Sequence, residues 1–310
     1  MVAESLAVQS GREGPVGARR ARRSWSRGRP GGLLAALALV VAACAAQPAA
    51  DLEGIAAVRS PAPTVLPRVV LPPPAARMDY QLGGAYRPPA GTRVVERDRS
   101  EAPAVGTYGI CYLNGYQTQP EENRWWLARH PDLLLRDRSG RTVEDPGWPG
   151  ELLFDTSTAA RRAALAQVEY AWIDGCARAG HRAVEADNLD SWTRSRGLLH
   201  QDGNLALARL LNRRAHLRGL ASAQKNTPEL AAQGRRLGFD LAVAEECGVY
   251  DECTAYTRAY GALVLEVEYT DNGRTAFARS CASAAGRRSI VLRDRLLTTP
   301  GRSGYAYRAC

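Results

Sequence analysis

Between Ala183 and Asp190 the sequence reads AVEADNLD, which places Glu185, Asp187 and Asp190 close together where an apolar, β-prone run ends. Neighbouring carboxylates resist joint ionisation, so such a cluster is either a solvated loop or a group that chemistry holds together. Side chains alternate along a strand, so Glu185 and Asp187 share one face while Val184 and Ala186 take the other. Two acids turned toward a barrel interior are costly unless they have a partner or a task. Lys225, the only lysine of the chain, ends a second short run and could offset their charge from the adjacent strand. Asn188 and Asn226 follow the two runs directly and could supply hydrogen bonds.

The same bias recurs along the chain. Eight short β-prone runs can be placed, at 79–82, 93–97, 107–113, 183–187, 220–225, 241–245, 263–269 and 289–293. Their ends carry Gln81, Asp98, Asn114, the trio Asp187, Asn188 and Asp190, Lys225 with Asn226, Glu245 with Glu246, Glu268 with Asp271, and Arg293 with Asp294. Helical patterns separate the later runs. Leu165, Val168, Trp172 and Cys176 step by three and four behind the capping candidates Ser157 and Thr158. A second helix is expected over 203–218, with Leu207, Leu210 and Leu211 on its apolar side. A third starts at Thr227-Pro228-Glu229 and stops at Gly238, and weaker ones cover 252–260 and 275–285. Strand alternating with helix predicts an α/β fold, a (β/α)8 TIM-type barrel whose reacting groups sit at the C-terminal strand ends. Its first units should be irregular, because the stretch 83–89, GGAYRPP, is too short and too rich in glycine and proline for a crossover helix. An open doubly wound sheet is the structural alternative, but no glycine-rich phosphate loop supports it.

The chain has 310 residues and a formal charge of +9. Residues 1–43 combine an arginine-rich patch with the apolar run 33–43, the pattern of a secretory leader, and VAAC at 41–44 resembles a lipobox with Cys44 as the acylated residue. Removing that leader takes away seven arginines and two glutamates and lowers the charge from +9 to +4, which leaves no basic stripe for nucleic acid. Residues 44–77 are rich in alanine and proline and read as a tether, so the catalytic candidate is a single domain over 78–310. The expected setting is the outer face of a membrane, through a lipid anchor, or the medium. Without Cys44 six cysteines remain, an even number that points to disulfides in an exported protein. Cys247 and Cys253 form the expected local pair; the other four cannot be ordered from sequence.

No GxSxG elbow, HExxH or phosphate loop appears, and no histidine ends a predicted strand, which weakens serine, zinc and nucleotide chemistry. What remains is an acid-rich rim with Tyr80, Tyr86, Tyr112, Tyr116, Trp125, Trp126, Trp192 and Tyr269 spread among the acids. Carboxylates beside aromatic faces suit sugar rings, which stack on aromatics and are cleaved by paired acids. Trp192, next to the acid cluster, is the candidate platform, and the strands ending at Asp187 and Glu245 are the candidates for the acid pair.

Over 78–310 the sequence resembles glycoside hydrolase family 114, the endo-α-1,4-polygalactosaminidase type. The carriers are MDYQLGGAY, ICYLN, WIDGCARAG, VEADNLDS, HLRGLASAQKNT, AVAEECGVYDEC and EYTD, with Ala186 standing where that family has proline. The resemblance implies a barrel hydrolase without cofactor or metal, acting on a galactosamine-containing polysaccharide, with the catalytic pair at Asp187 and Glu245. Asp190, Asp98 and Glu268 are candidate partners for a cationic amino sugar, since a partly deacetylated polymer carries ammonium groups that a negative cleft attracts, and the rim residues Gln81, Tyr112, Asn114, Asn188, Lys225, Asn226, Glu246 and Asp271 are further candidate substrate contacts. A glycosidase for another hexose and a non-catalytic glycan-binding lipoprotein are the competing readings.

Overall fold

A computed structural model describes residues 67–284 and 287–310. The leader, Cys44 and the tether up to residue 66 lie outside the described residues. Eight parallel strands follow one another around a nearly closed barrel: β1 (Met78–Gln81), β2 (Val94–Asp98), β3 (Tyr108–Asn114), β4 (Ala183–Asp187), β5 (Ala221–Lys225), β6 (Leu241–Glu245), β7 (Val264–Tyr269) and β8 (Ser289–Arg293). All eight expected runs are strands, and their ends agree with the expectation within one residue. A ninth strand that the sequence did not signal, β9 (Tyr307–Ala309), pairs antiparallel with β8.

The seam between β8 and β1 carries no ladder of backbone hydrogen bonds. Side chains close it instead. Arg293 at the end of β8 pairs with Asp79 on β1 at 3.1 Å and also donates to the Tyr80 carbonyl, and the Tyr307 hydroxyl donates to the Met78 carbonyl at 3.0 Å. Arg293 and Asp79 are fully buried, so the ion pair needs these extra hydrogen bonds to offset its desolvation.

Helices cover the later strands. After a short α1 (Asn123–Arg129) come α2 (Ala159–Ala179), α3 (Gln201–Leu217), α4 (Ala231–Leu237), α5 (Cys253–Tyr260) and α6 (Thr275–Ala284). The Thr158 hydroxyl accepts from the Arg161 amide and caps α2, and Gly238, at φ 93°, ends α4 in the left-handed conformation that glycine adopts without strain. As the short connections required, no helix separates β1, β2 and β3. Residues 67–77, the end of the stretch read as a tether, lie on the barrel: Ala76 is buried and the Val70 carbonyl accepts from the Tyr108 hydroxyl at 2.8 Å.

Strand parity creates two cores. Val184, Ala242 and Ala244 face outward against α2 to α5, while Met78, Tyr80, Ile110, Ala183, Ala221, Ala223, Val243 and Val267 fill the barrel. The filling is lopsided, with large residues on β1 and β3 and alanines on β4 and β5. Above those alanines the next inward positions are Glu185 and Lys225, so the small layer leaves room for a polar one.

Three disulfides pin this frame. Cys111–Cys176 ties the outward face of β3 to α2, Cys247–Cys253 closes the expected small loop after β6, and Cys281–Cys310 fastens the last residue to α6. Such bridges are characteristic of proteins matured in an oxidising compartment.

Candidate active site

Strands β4, β5 and β6 each end on a charged residue facing the barrel mouth, namely Asp187, Lys225 and Glu245. Each is followed at once by a residue in the left-handed region: Asn188 at φ 64°, Asn226 at φ 47° and Glu246 at φ 58°. Asparagine tolerates that conformation, whereas for glutamate it is uncommon and costs on the order of 1–3 kcal/mol. The sharp turn brings the next residue back to serve the strand end. The Asn188 amide donates to Asp187 Oδ1 at 2.6 Å, and the Asn226 side chain accepts from the Glu245 amide at 2.8 Å while donating to Glu245 Oε2 at 3.1 Å.

One cation joins the acids. Lys225 Nζ lies 3.0 Å from Glu185 Oε1, 3.1 Å from Asp187 Oδ2 and 3.4 Å from Glu245 Oε2, and donates to the Tyr80 hydroxyl at 3.1 Å. Because both outer acids touch the same nitrogen, those Asp187 and Glu245 oxygens are separated by no more than about 6.5 Å, the sum of the two contacts. Asp187 also accepts from the Tyr112 hydroxyl at 2.8 Å, and Glu245 from the Tyr269 hydroxyl. Exposure separates the roles open to the acids. Asp187 and Glu245 keep 19% and 24% of their side chains exposed, whereas Glu185 is sealed.

The protonation states follow from these contacts. Burial alone would raise the Asp187 carboxyl, but the Lys225 ammonium, the Asn188 amide and the Tyr112 hydroxyl outweigh it and leave Asp187 below its ordinary value. Burial raises Glu185 to about 7, with Lys225 opposing and Asp187 assisting. Burial, reinforced by the facing Glu185, raises Glu96 on β2 well above the usual carboxylate range. Lys225 stays charged because Asp187, Glu185 and Glu245 together exceed the burial that would discharge it.

A cleft of about 430 Å³ opens over this cluster. Asp187, Glu245, Tyr112, Asn188, Asp190, Lys225, Asn226 and Glu246 line it. The remaining candidates lie elsewhere, for reasons of parity or packing. Gln81 is on the outward face of β1, donating to Asp79 at 2.7 Å and accepting from Arg97 at 2.9 Å. Asp98 shapes the turn after β2 through Ser100 and accepts from Gln119. Asn114 stands behind the wall, where it accepts from Asn188 at 2.6 Å and donates to Glu151 at 2.7 Å. Glu268 is a correction: on β7 the inward positions are Leu265, Val267 and Tyr269, so Glu268 points out under α6 and accepts from the Gly248 amide at 2.8 Å. Asp271 sits at the edge, in an ion pair with Arg295 at 2.9 Å.

Trp192 is a second correction. It packs between two apolar clusters, and the tryptophan that lines the cleft is Trp148, 55% exposed. Trp148 and Glu151 belong to the long connection from β3 to α2, a segment held by isolated antiparallel bridges such as Glu144 with Leu152. Nothing in its sequence is periodic, so it gave no strand or helix signal. Arg295, Leu296 and Leu297 line the cleft from a loop for which the same holds, and Arg194 lines it from the end of a single 3-10 turn, Ser191–Arg194. Tyr80 and Tyr269 also line it, and they share the inward parity of Met78 and Val267. Asp190, expected to meet a cationic sugar, is paired with Arg194 at 2.8 Å. Away from the cleft, Cys247, Cys253 and Glu266 bring potential metal-ligand atoms within 4.8 Å, but the two sulfurs are bonded to each other and offer no thiolate.

The fold is similar to that of solved carbohydrate-active proteins. Ega3 of Aspergillus fumigatus, crystallised in complex with galactosamine, matches with a TM-score of 0.59 at 19% identity, covering 80% of this chain and 98% of that one. The glycoside hydrolase domain of PelA from Pseudomonas aeruginosa matches with a TM-score of 0.50 at 16% identity, covering 73% of this chain and 98% of that one. At such identities the likeness shows the fold. No curated protein matches the sequence. The model of glycoside-hydrolase family GH114 matches residues 59–310, most of the chain and every strand of the barrel, so this protein belongs to family GH114 and is a glycoside hydrolase.

Proposed function

We propose that this protein hydrolyses α-1,4 linkages of a galactosamine-containing polysaccharide with retention, Asp187 acting as nucleophile and Glu245 as acid and base. The observation that carries the reading is the contact of Lys225 Nζ with both carboxylates, 3.1 and 3.4 Å. The resulting limit of about 6.5 Å on those two oxygens is compatible with the carboxyl spacing of about 5–5.5 Å that a nucleophile needs. Galactosamine is the ligand of the Ega3 crystal structure and fits the family resemblance of the sequence.

The chemistry then follows from charge. Asp187, ionised and presented by Tyr112 and Asn188, attacks the anomeric carbon as Glu245 gives its proton to the departing oxygen. Asp187 becomes an uncharged ester at the moment Glu245 becomes an anion. Lys225 touches both, so its charge faces one carboxylate throughout and no buried ion is left alone. Water, deprotonated by Glu245, opens the ester and restores the starting state. Export, acylation at Cys44 and the tether complete the reading and place the domain at a membrane surface facing its polymer.

The purified domain incubated with α-1,4-linked galactosamine polymer should release shorter chains whose new reducing ends appear first as the α-anomer in proton NMR. Initial β-anomer would overturn retention, and unshortened polymer would overturn the substrate. Radiolabelled palmitate incorporation that persists in a Cys44→Ser variant would overturn the anchor.

A further inference from the structure

Beneath the reacting pair lies an acid that the mechanism above does not use. We propose that Glu96 is a positioning residue: as a neutral acid sealed under the cleft it donates to Glu185 Oε2, and so holds Glu185 Oε1 on Lys225, the cation that serves Asp187 and Glu245. The proposal rests on the hydrolase reading and adds to it the support of its central charge.

Parity puts Glu96 inside the barrel. Val94 of β2 belongs to the inner core, and Glu96, two residues on, stands level with Tyr80 of β1 and is fully buried. Its carboxyl lies within hydrogen-bond reach of the carboxyl of Glu185, which is equally sealed. Glu185 Oε1 accepts from Lys225 Nζ at 3.0 Å. Among the described residues, neither Glu96 oxygen nor Glu185 Oε2 meets an N–H or hydroxyl donor. Two facing carboxylates would thus leave three buried oxygens unpaired and two like charges in contact, each costly away from water. One proton between them removes the repulsion and makes a charge-assisted hydrogen bond.

The neighbours decide which acid keeps that proton. Lys225 from β5 touches Glu185 and not Glu96, so Glu185 is the anion and Glu96 the donor. The other titratable groups around the pair are Tyr80 from β1, Tyr112 from β3 and Asp187 on β4, with Glu245 of β6 on the far side of Lys225. Burial, then Glu185, raises Glu96 well above the usual carboxylate range, whereas burial, opposed by Lys225, brings Glu185 to about 7, in keeping with that order. An ammonium has three protons to give. Glu185, fixed by Glu96, takes one from beneath, which leaves two for Asp187 and Glu245 at 3.1 and 3.4 Å.

Lys225 is the only lysine of the chain, so lysine labelled with nitrogen-15 at Nζ gives a single ammonium resonance that reports on this contact. Glu96→Leu removes the donor. The resonance should shift, and kcat should fall about tenfold to a hundredfold, the size of one hydrogen bond to a charged group, with KM unchanged because Glu96 does not line the cleft. Glu96→Gln, whose carboxamide N–H can donate in the same place, should return the resonance to its wild-type position and kcat to within about threefold. The infrared difference between wild-type and Glu96→Gln protein at neutral pH should show the loss of a protonated-carboxyl carbonyl band. An infrared difference without that loss overturns the proposal even where Glu96→Leu does not fold. So does folded Glu96→Leu protein with an unmoved resonance or undiminished kcat, and so does a Glu96→Gln variant as slow as Glu96→Leu. The two readings fail separately. Wild-type protein that leaves the polymer intact, while the band is lost and the resonance shifts as expected, removes the hydrolytic reading and keeps the Glu96–Glu185–Lys225 chain; cleavage with no band lost does the opposite.

Discussion

Glu185 and Asp187 on β4 and Glu266 and Glu268 on β7 share one pattern, two acids separated by a single apolar residue near a strand end. On β4 the pair faces into the barrel, meets Lys225 and ends at an open cleft. On β7 it faces outward beneath α6, where Arg288 pairs with Glu266 and the Gly248 amide serves Glu268. Glu266 Oε1 and Glu268 Oε2 find no hydrogen-bond donor there among the described residues. Burial, then Glu266, raises Glu268 to about 7. The lesson is that the same two acids are turned toward a solvent-open cleft or sealed beneath a helix by a one-residue difference in parity; both pairs have a cation, and the opening to solvent is what separates them.

The comparison breaks most visibly in activity. Asp187→Asn should lower kcat on the order of 10⁴-fold while the far-ultraviolet dichroism stays unchanged. Glu268→Gln should leave kcat within about twofold, since its side chain points away from the cleft and does not line it. Equal losses in the two variants, measured by reducing-end release, would erase the distinction drawn here.

Lys225→Met attacks the inner cluster at its centre. It leaves Glu185, Asp187 and Glu245 without their shared cation, which should cost about 3–5 kcal/mol in urea unfolding. It should also move the acid limb of the activity profile to higher pH, because Asp187 loses the ammonium that lowers it. An unmoved limb would mean that Lys225 does not set the state of Asp187.

Gly248→Ala probes the outer pair instead. A Cβ there would stand 2.6 Å from Ser280 Oγ and 2.9 Å from the carboxyl oxygens of both Glu266 and Glu268, so about 1–3 kcal/mol of stability should be lost. Activity per folded molecule should hold. A thermal midpoint equal to that of the wild type would show that the pocket under α6 yields freely.

The smallest effect sharpens the comparison through pH. Glu185 and Glu268 hold in the folded state a proton that the unfolded chain releases near 4.5, their folded values being about 7. Between those limits the folded state binds more protons, so the stability these two groups contribute is fully present below about 4.5 and is lost as pH rises through 7. His216, raised by its bond to Asp240, acts in the same direction, and His181, lowered by burial, opposes it. Glu268→Gln should flatten part of the decline in urea midpoint over that window, and an identical slope would place its titration elsewhere.

Much of this molecule was legible in one dimension, because period-two alternation and helical spacing are local consequences of backbone geometry. The eight strands, the inward parity of Glu185, the caps at Thr158 and Gly238, and the pairing of Cys247 with Cys253 all depend on residues near one another in the chain. The tertiary structure decided what depends on packing. Parity places Glu268 and Gln81 outside the barrel, but only relative to neighbours whose burial the sequence does not state. Trp148, Glu151 and Arg295 reach the cleft from aperiodic loops, whose paths are set by contacts across the barrel mouth. The convergence of Asp187, Lys225 and Glu245 belongs to the closure of the sheet, since residues 38 and 20 positions apart share a hollow only when neighbouring strands run side by side in register.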